Sequence, residues 1–328
     1  MTKPLLIAFL FTSLIATFLL ACNDYYTDKK KNVSNPSQTV EEEPVWIGPD
    51  LASVSDDEKG RLIKYGHELI VNTAEYLGPK GSVLHVSNGM NCQNCHLNGG
   101  AKPYGNNYFA VYSTYPKFRE RSGSNETIVK RVNDCFERSM NGKPLDSTGK
   151  EMNAIITYIT WLGTDVPKGK LPRGSNITSV PFLDRAADPK IGQIAYTAKC
   201  QSCHGVDGSG ILKSDGKSYL FPPLWGPKSY NDGAGLYRLS RLAGYIKDNM
   251  PLGARHEKPQ LSDEEAWDLA AYINSMPRPK KDFSKDWPSI SGKPLDHPFG
   301  PYADGYSEQQ HKYGPFDPIK KAKEEAKK

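Results

Sequence analysis

Two copies of a Cys-x-x-Cys-His motif are the residues of this sequence whose types and spacing are best suited to chemistry. Two thiols three residues apart can bond the two vinyl groups of a haem, and the adjacent histidine can bind its iron from one face. A zinc site is the main alternative, but the two motifs lie 108 residues apart, which argues against one shared metal. We therefore expect two covalently bound c-type haems, attached through Cys92, Cys95 and His96 in the first motif and Cys200, Cys203 and His204 in the second.

The second motif has a candidate for the ligand on the opposite face of its iron. Met250 follows His204 by 46 residues, and the segment from Asn249 to Gly253 resembles the distal methionine loop of cytochromes c. A thioether opposite histidine favours ferrous iron and raises the reduction potential, which suits electron transfer. The alternative interpretation is a core methionine beside a loop proline.

The first motif offers two candidates for the same position. Met140 follows His96 by 44 residues, so the register of the repeat favours Met140. Cys135 has no covalent task, and an unpaired thiol in an oxidising compartment is a liability unless it is buried or used. As a thiolate it would lower the potential of the haem iron. The residues alone leave open whether Cys135 or Met140 binds this iron.

Three segments resemble the thiosulfate dehydrogenase and tetrathionate reductase family of dihaem cytochromes. The most specific is Cys-Phe-Glu-Arg-Ser-Met-Asn-Gly at 135–142, and the others are Tyr-Pro-Lys-Phe-Arg at 115–119 and His-Lys-Tyr-Gly-Pro-Phe-Asp-Pro at 311–318. The resemblance covers nearly all of the chain that follows the N-terminal signal region. It implies that Cys135 is the distal ligand of a catalytic haem.

The resemblance also implies a reaction and a set of substrate-binding residues. Two thiosulfates would interconvert with one tetrathionate and two electrons, with Cys135 as a displaceable ligand and sulfur nucleophile. Arg121 and Arg131 match the family's substrate-binding arginines, and Ser139 matches its hydroxyl donor. Guanidinium groups suit such dianions because they offer several donors in one plane. An external redox partner, a small c-type cytochrome, would exchange the electrons.

One position departs from the family pattern. Some relatives have lysine directly before the methionine of the second haem and can exchange the two ligands, whereas this sequence has Asn249. We therefore expect Met250 to bind the second iron in both redox states and to raise the potential of that haem.

The elements that must position these residues repeat along the chain. Apolar periodicity predicts a helix before each motif and another after it, the last of which begins after Ser262 and stops at Pro277. We predict an all-α fold of two tandem class I cytochrome c domains, each wrapped around one covalent haem, with an irregular C-terminal extension. The predicted boundaries are 45–165 for the first domain, 166–187 for the linker, 188–278 for the second domain and 279–328 for the extension.

The first 44 residues are typical of an export signal and a tether. Residues 1–22 have a basic start, an apolar stretch and the sequence Leu-Leu-Ala-Cys, which resembles the lipobox of bacterial lipoproteins. We expect a cleaved lipoprotein-type signal peptide, a lipid anchor on Cys22 and a flexible tether over 23–44. The domains would then lie on the periplasmic side of a bacterial membrane. An ordinary signal peptide or an uncleaved anchor is the alternative.

Composition and charge exclude other broad classes. Charged residues make up 24% and apolar residues 38% of the 328 residues, which is typical of a folded chain. The net charge of +5 is too small and too evenly spread to indicate nucleic-acid binding. Two other functions remain open: a non-enzymatic dihaem electron carrier, which predicts two His/Met haems, and another His/Cys-ligated cytochrome of sulfur oxidation.

Overall fold

The structure is a computed structural model, and it describes residues 43–326. The predicted signal peptide, with its lipid-anchor residue Cys22, and nearly all of the predicted tether lie outside these residues. Between residues 43 and 326, every helix is too short or too polar to cross a lipid bilayer. The described chain is mostly helical, and its strands are confined to two small hairpins.

The first part of the described chain surrounds the first Cys-x-x-Cys-His motif. Short 3-10 helices form at Leu51–Ser53 and within the motif at Cys92–Asn94. The elements are α1 (Glu58–Val71), α2 (Thr73–Leu77), α3 (Leu97–Gly100), α4 (Val111–Thr114), β1 (Lys117–Arg119), β2 (Ser124–Glu126), α5 (Ile128–Arg138) and α6 (Lys150–Leu162). Strands β1 and β2 pair antiparallel as a hairpin.

The second part repeats this arrangement around the second motif and then continues into the C-terminal extension. Its elements are α7 (Pro189–Lys199), α8 (Gln201–His204), β3 (Ile211–Leu212), β4 (Tyr219–Phe221), α9 (Leu239–Asn249), α10 (Asp263–Ser275), α11 (Glu308–Tyr313) and α12 (Asp317–Glu325). Two 3-10 helices, Gly235–Tyr237 and Ile290–Gly292, lie in the connections. Strands β3 and β4 form the second antiparallel hairpin.

The same close helix crossing occurs in both parts. Helix α1 packs against α6, and helix α7 packs against α10. A side chain at Gly66 would overlap the carbonyl oxygen of Ala154, and one at Gly192 would overlap that of Asp268. Glycine is therefore required at each crossing, because only a missing Cβ lets the two backbones approach this closely.

Local sequence explains where several helices begin. The side chain of Asp188 accepts a hydrogen bond from Lys190 N, and Pro189 occupies the first turn of α7. Ser262 and Glu265 form the reciprocal capping box that the sequence predicts for α10. These caps satisfy backbone donors that the helix itself leaves free.

Two apolar cores follow the two parts of the chain. One includes Phe136 and Met152, and the other includes Trp267. The C-terminal extension adds Phe316 and Ile319 to the second core. Helix α12 begins at Asp317, and Pro318 lies in its first turn, where proline is favoured.

Candidate active site

The first motif opens onto a cavity, called the first cavity below. Predicted site residues that line it are Cys92, Cys95, His96, Arg131, Cys135, Ser139 and the alternative ligand Met140. The wall is mainly apolar, with side chains such as Ile70, Val111 and Ile155, and this suits the flat hydrocarbon surface of a haem.

His96 is held in the form that binds iron. Its Nδ1 hydrogen-bonds the carbonyl oxygen of Asn106, so this nitrogen carries the proton and Nε2 is left with its lone pair free. Burial lowers the pKa of His96 to about 4, which keeps the ring neutral at neutral pH. The imidazole also stacks on Tyr108, with ring centroids 4.5 Å apart.

Cys135 and Met140 line the same cavity but differ in their surroundings. Met140 is 4% exposed and belongs to the apolar core around the first motif. Cys135 is half-buried in the middle of α5, on the helix that also carries Arg131. The negative charge of a Cys135 thiolate is the main reason that the pKa of Arg131 is raised. Cys135 therefore lies beside a cation, whereas Met140 is packed in the apolar core.

Arg131 and Ser139 lie where an anion in the first cavity could meet them. Arg131 is one helical turn before Cys135, and side chains four residues apart share one face of a helix. Between residues 43 and 326, the Arg131 side chain has no carboxylate within salt-bridge distance. Tyr115 also lines the cavity, and the sequence analysis did not identify it. The signal that could have indicated Tyr115 is its position at the start of segment 115–119, which resembles the family.

Arg121 occupies a different place from the other predicted substrate residues. It lines a small cavity of about 240 Å³ together with Asp286 and His297 from the C-terminal extension. Its Nη1 donates to Gly233 O at 3.4 Å, and its guanidinium lies 5.7 Å from the ring centroid of Trp287. Burial, followed by the charges of other arginines, lowers the pKa of Arg121 to about 10, so the group stays cationic at neutral pH.

The second motif opens onto a larger cavity, called the second cavity below. Cys200, Cys203, His204 and Met250 all line it. His204 Nδ1 hydrogen-bonds the carbonyl oxygen of Pro222 at 2.9 Å, which again leaves Nε2 free to bind iron. In the first part the corresponding partner is not a proline, because His96 Nδ1 bonds the carbonyl oxygen of Asn106.

The two cavities are neighbours. Asn91, directly before the first motif, lines both of them. Tyr245 of α9 donates to Asn94 O at 3.0 Å, and Asn249 Nδ2 donates to Tyr104 O at 3.1 Å. The segment that carries Met250 is therefore hydrogen-bonded to the part of the chain around the first motif. This arrangement favours electron exchange between groups held in the two cavities.

The residues present fit haem rather than a bare metal ion. Each cavity presents two thiols and one neutral imidazole, the set needed for two thioether bonds and one iron ligand. Within the described residues, no three or more His, Cys, Asp or Glu side chains form a cluster that could hold a bare metal ion.

Comparison with protein-family models agrees with this division of the chain. Residues 84–167 match the cytochrome c domain of SoxA/TsdA, and residues 190–277 match the cytochrome c family. The predicted fold of two tandem cytochrome c domains is therefore confirmed. A cytochrome c domain implies covalently bound c-type haem, in accord with the donor sets of the two cavities.

Comparison with individual proteins narrows the family. The chain is 38% identical over 256 residues to a thiosulfate dehydrogenase of Psychrobacter arcticus, covering 77% of this chain and 75% of the relative. It is 38% identical over 245 residues to a thiosulfate dehydrogenase of Allochromatium vinosum, covering 73% and 87%. A solved thiosulfate dehydrogenase, TsdBA of Marichromatium purpuratum, superposes with a TM-score of 0.68 at 29% identity; the match covers 84% of this chain and 55% of that one. The chain therefore belongs to the thiosulfate dehydrogenase family of cytochromes c, as its Cys135 segment indicated.

Proposed function

We propose that this protein is a dihaem cytochrome c enzyme that interconverts two thiosulfates with one tetrathionate and two electrons. The observation that carries the proposal is that Cys135 and Arg131 line the same cavity as the first attachment motif. A sulfur nucleophile and a cation thus stand where a haem attached at Cys92 and Cys95 would lie. The names of the similar proteins support thiosulfate as the substrate.

The residues of the first cavity divide the work between binding and bond formation. Arg131 binds and orients the sulfonate end of thiosulfate, Ser139 donates a hydrogen bond to it, and Arg121 adds positive charge from the adjacent small cavity. His96 and Cys135 are the residues that would hold the iron of the first haem, and a bound haem would supply a one-electron acceptor. Apolar residues around the cavity exclude water, which strengthens these charge interactions.

Cys135 serves as the sulfur nucleophile in both directions of the reaction. During oxidation, the Cys135 thiolate and one thiosulfate lose two electrons and form a sulfur–sulfur bond, which gives a cysteinyl thiosulfonate. A second thiosulfate attacks the outer sulfur of that group. The bond to the cysteine sulfur breaks, tetrathionate leaves and the thiolate is restored without any proton transfer. The reverse sequence consumes the same two electrons.

The second part of the protein serves electron transfer. His204 and Met250 are the residues that would hold the second haem, and a His/Met pair would favour a high potential that suits a relay. The electrons pass to or from an external redox partner, a small c-type cytochrome. Asn249 cannot replace Met250 as a lysine would, so the ligand pair stays the same in both redox states.

We propose further that the enzyme is anchored on the periplasmic side of a bacterial membrane. A lipoprotein-type signal ending before Cys22 supports this location, because the lipidated cysteine would become the first residue of the exported chain. The polar segment 23–44 would then connect the anchor to the domains. Covalent haem attachment through free cysteines is compatible with export.

Replacing Cys135 with serine tests the proposed reaction. We expect Cys135→Ser to keep both haems, measured as two pyridine haemochromes per chain, but to lose turnover with thiosulfate and with tetrathionate. Low-temperature electron paramagnetic resonance of the wild-type protein should show the narrow g spread of a His/thiolate haem, and the variant should lose it. Met140→Leu is the matched control and should retain both the signal and the turnover. Retained activity in Cys135→Ser, or loss of the signal in Met140→Leu alone, would refute the proposal.

A further inference from the structure

Tyr115 presents its hydroxyl group to the first cavity without a hydrogen-bond partner. The side chain is half-buried and lines this cavity together with Arg131, Cys135 and Ser139. Between residues 43 and 326, neither the Tyr115 hydroxyl nor the Ser139 hydroxyl forms a hydrogen bond. The first cavity therefore contains two hydroxyl donors, besides the guanidinium of Arg131, that this part of the chain leaves available to a ligand.

A hairpin places Tyr115 beside helix α5. Tyr115 follows directly after α4, where its N–H donates to Val111 O at 3.1 Å. Strand β1 begins two residues later, and its first residue, Lys117, pairs with Glu126, the last residue of β2. Helix α5 begins two residues after β2, so the antiparallel pair returns the chain to the place that it left. Tyr115 is thereby brought next to the first turn of α5, at the end of which lies Arg131.

The charges that act on the Tyr115 hydroxyl agree with this placement. Burial raises the pKa of Tyr115, and the positive charge of Arg131 opposes the rise more than any other nearby charge. The negative charges of Glu126 and Cys135 add to the rise with a smaller effect. Because the pKa lies above the ordinary value of 10, the hydroxyl keeps its proton at neutral pH and can donate a hydrogen bond.

A small oxyanion would satisfy all of these donors together. The sulfonate end of thiosulfate has three oxygens, and a planar guanidinium can bind two of them at once. Hydroxyl donors on Tyr115 and Ser139 suit the oxygen that remains. Arg131 and Cys135 are one helical turn apart, so an anion held by Arg131 and Tyr115 lies beside the sulfur that the proposed reaction uses.

We propose that Tyr115 is a further substrate-binding residue of the first cavity, and that its hydroxyl donates a hydrogen bond to the sulfonate end of thiosulfate. Together with Arg131 and Ser139, it holds the sulfonate oxygens and leaves the terminal sulfur free to meet Cys135. This assignment rests on the proposed function, because it takes thiosulfate as the substrate, and it adds a neutral donor to the binding site.

Tyr115→Phe tests the assignment, because it removes the hydroxyl and keeps the ring. We expect the KM for thiosulfate to rise about 10-fold with kcat nearly unchanged, the loss expected for one hydrogen bond to a charged group. Both haems, both midpoint potentials and the resonance signal of the His/thiolate haem should stay as in the wild type. Tyr112→Phe is the matched control and should keep the wild-type KM. Tyr112 lies three residues earlier on α4, and its ring lies 3.7 Å from Lys168 Nζ, outside the first cavity.

A binding measurement separates this assignment from the reaction mechanism. Calorimetry of thiosulfate with the oxidised Cys135→Ser holoprotein reports binding without the proposed nucleophile. Adding Tyr115→Phe to that variant should weaken thiosulfate binding by the same factor of about 10.

Three results would overturn the assignment. The KM and the binding constant could both stay unchanged in Tyr115→Phe. The midpoint potential of the first haem could shift with an unchanged KM, which would place the hydroxyl on a haem carboxylate. Tyr112→Phe could raise the KM equally, which would show that the effect does not belong to the cavity. A wild-type protein that neither binds nor oxidises thiosulfate would refute the proposed function as well, whereas normal wild-type turnover with an unaffected Tyr115→Phe would refute this assignment alone.

Discussion

Acid should destabilise this protein through His297, a buried histidine of the C-terminal extension. The side chain is 6% exposed. Its Nε2 accepts a hydrogen bond from Trp287 Nε1 at 3.1 Å, and its Nδ1 hydrogen-bonds Phe299 O at 3.1 Å. These contacts fix a neutral tautomer with the proton on Nδ1, because a second proton on Nε2 would face the indole N–H.

The size of the effect follows from the pKa of this histidine. The pKa of His297 is lowered from 6.5 to about 4. Burial is the main cause, and the nearby cations Lys293 and Arg121 contribute to the same shift. One pKa unit corresponds to about 1.4 kcal/mol, so protonation of the unfolded chain favours unfolding by about 3 kcal/mol at most. The contribution is fully present above pH 6.5 and is lost as the pH falls towards 4, because the unfolded chain binds the proton first.

Urea unfolding of the holoprotein at several pH values between 7.5 and 4.5 measures this contribution. The range spans the unfolded pKa of 6.5 and ends just above the folded pKa of about 4. We expect the wild type to lose about 2–3 kcal/mol more than His297→Gln over this range. Trp287→Phe keeps an aromatic ring but removes the N–H donor, so its pH dependence should lie between the two. Equal slopes for the wild type and His297→Gln would refute the reasoning.

Two other substitutions test the helix crossing and the anion site. Gly192→Ala should destabilise the protein by about 1–3 kcal/mol in thermal unfolding, because the alanine Cβ would meet the carbonyl of Asp268. Alanine favours helices more than glycine does, so a gain in stability would contradict the close helix crossing. Arg131→Gln should raise the KM for thiosulfate about 10–100-fold, the loss expected for one or two charge-assisted hydrogen bonds, with unchanged haem content. Lys117→Gln, on an exposed strand, is its control, and an equal rise in both variants would remove Arg131 from the substrate site.

Local signals predicted the parts of the fold that depend on neighbouring residues. Helix α7 begins and ends where its cap and periodicity indicate, and the capping box at Ser262 forms as expected. Other caps differ from the Ser-x-x-Glu pattern at 55–58 and the Thr-x-x-Glu pattern at 148–151, which are typical of capping boxes. Asp57 rather than Ser55 caps α1, and α6 begins after Gly149 without a side-chain cap. Adjacent Ser, Asp and Thr residues offer competing acceptors, and the tertiary position of the helix selects among them.

The carbonyl that holds His96 could not be predicted from the repeat. In the second part, Pro222 lies 18 residues after His204 and accepts the hydrogen bond, so the nearest counterpart in the first part was Pro116. The first part instead brings Asn106 to the ring, in a loop where Asn98, Tyr104 and Asn106 have positive φ angles. Such left-handed turns fold the chain back within ten residues. The residue spacing in the second part does not predict them.

The C-terminal extension was the least predictable part, and it supports the arginines closest to the proposed chemistry. Its sequence has many Pro and Gly residues and little periodicity, so it indicated only an irregular wrapping. In the structure, Trp287 N donates to Arg121 O at 2.7 Å, and Asp286 pairs with Arg138 at 2.7 Å.

Arg138 is buried and Arg121 is half-buried, and their positive charges repel one another. Asp286 pairs with Arg138 and also offsets this repulsion at Arg121, which remains charged close to Arg131. Arg131 and Arg138 lie on α5 and Arg121 lies between β1 and β2, so a carboxylate of the extension supports an arginine cluster that two separate segments bring together.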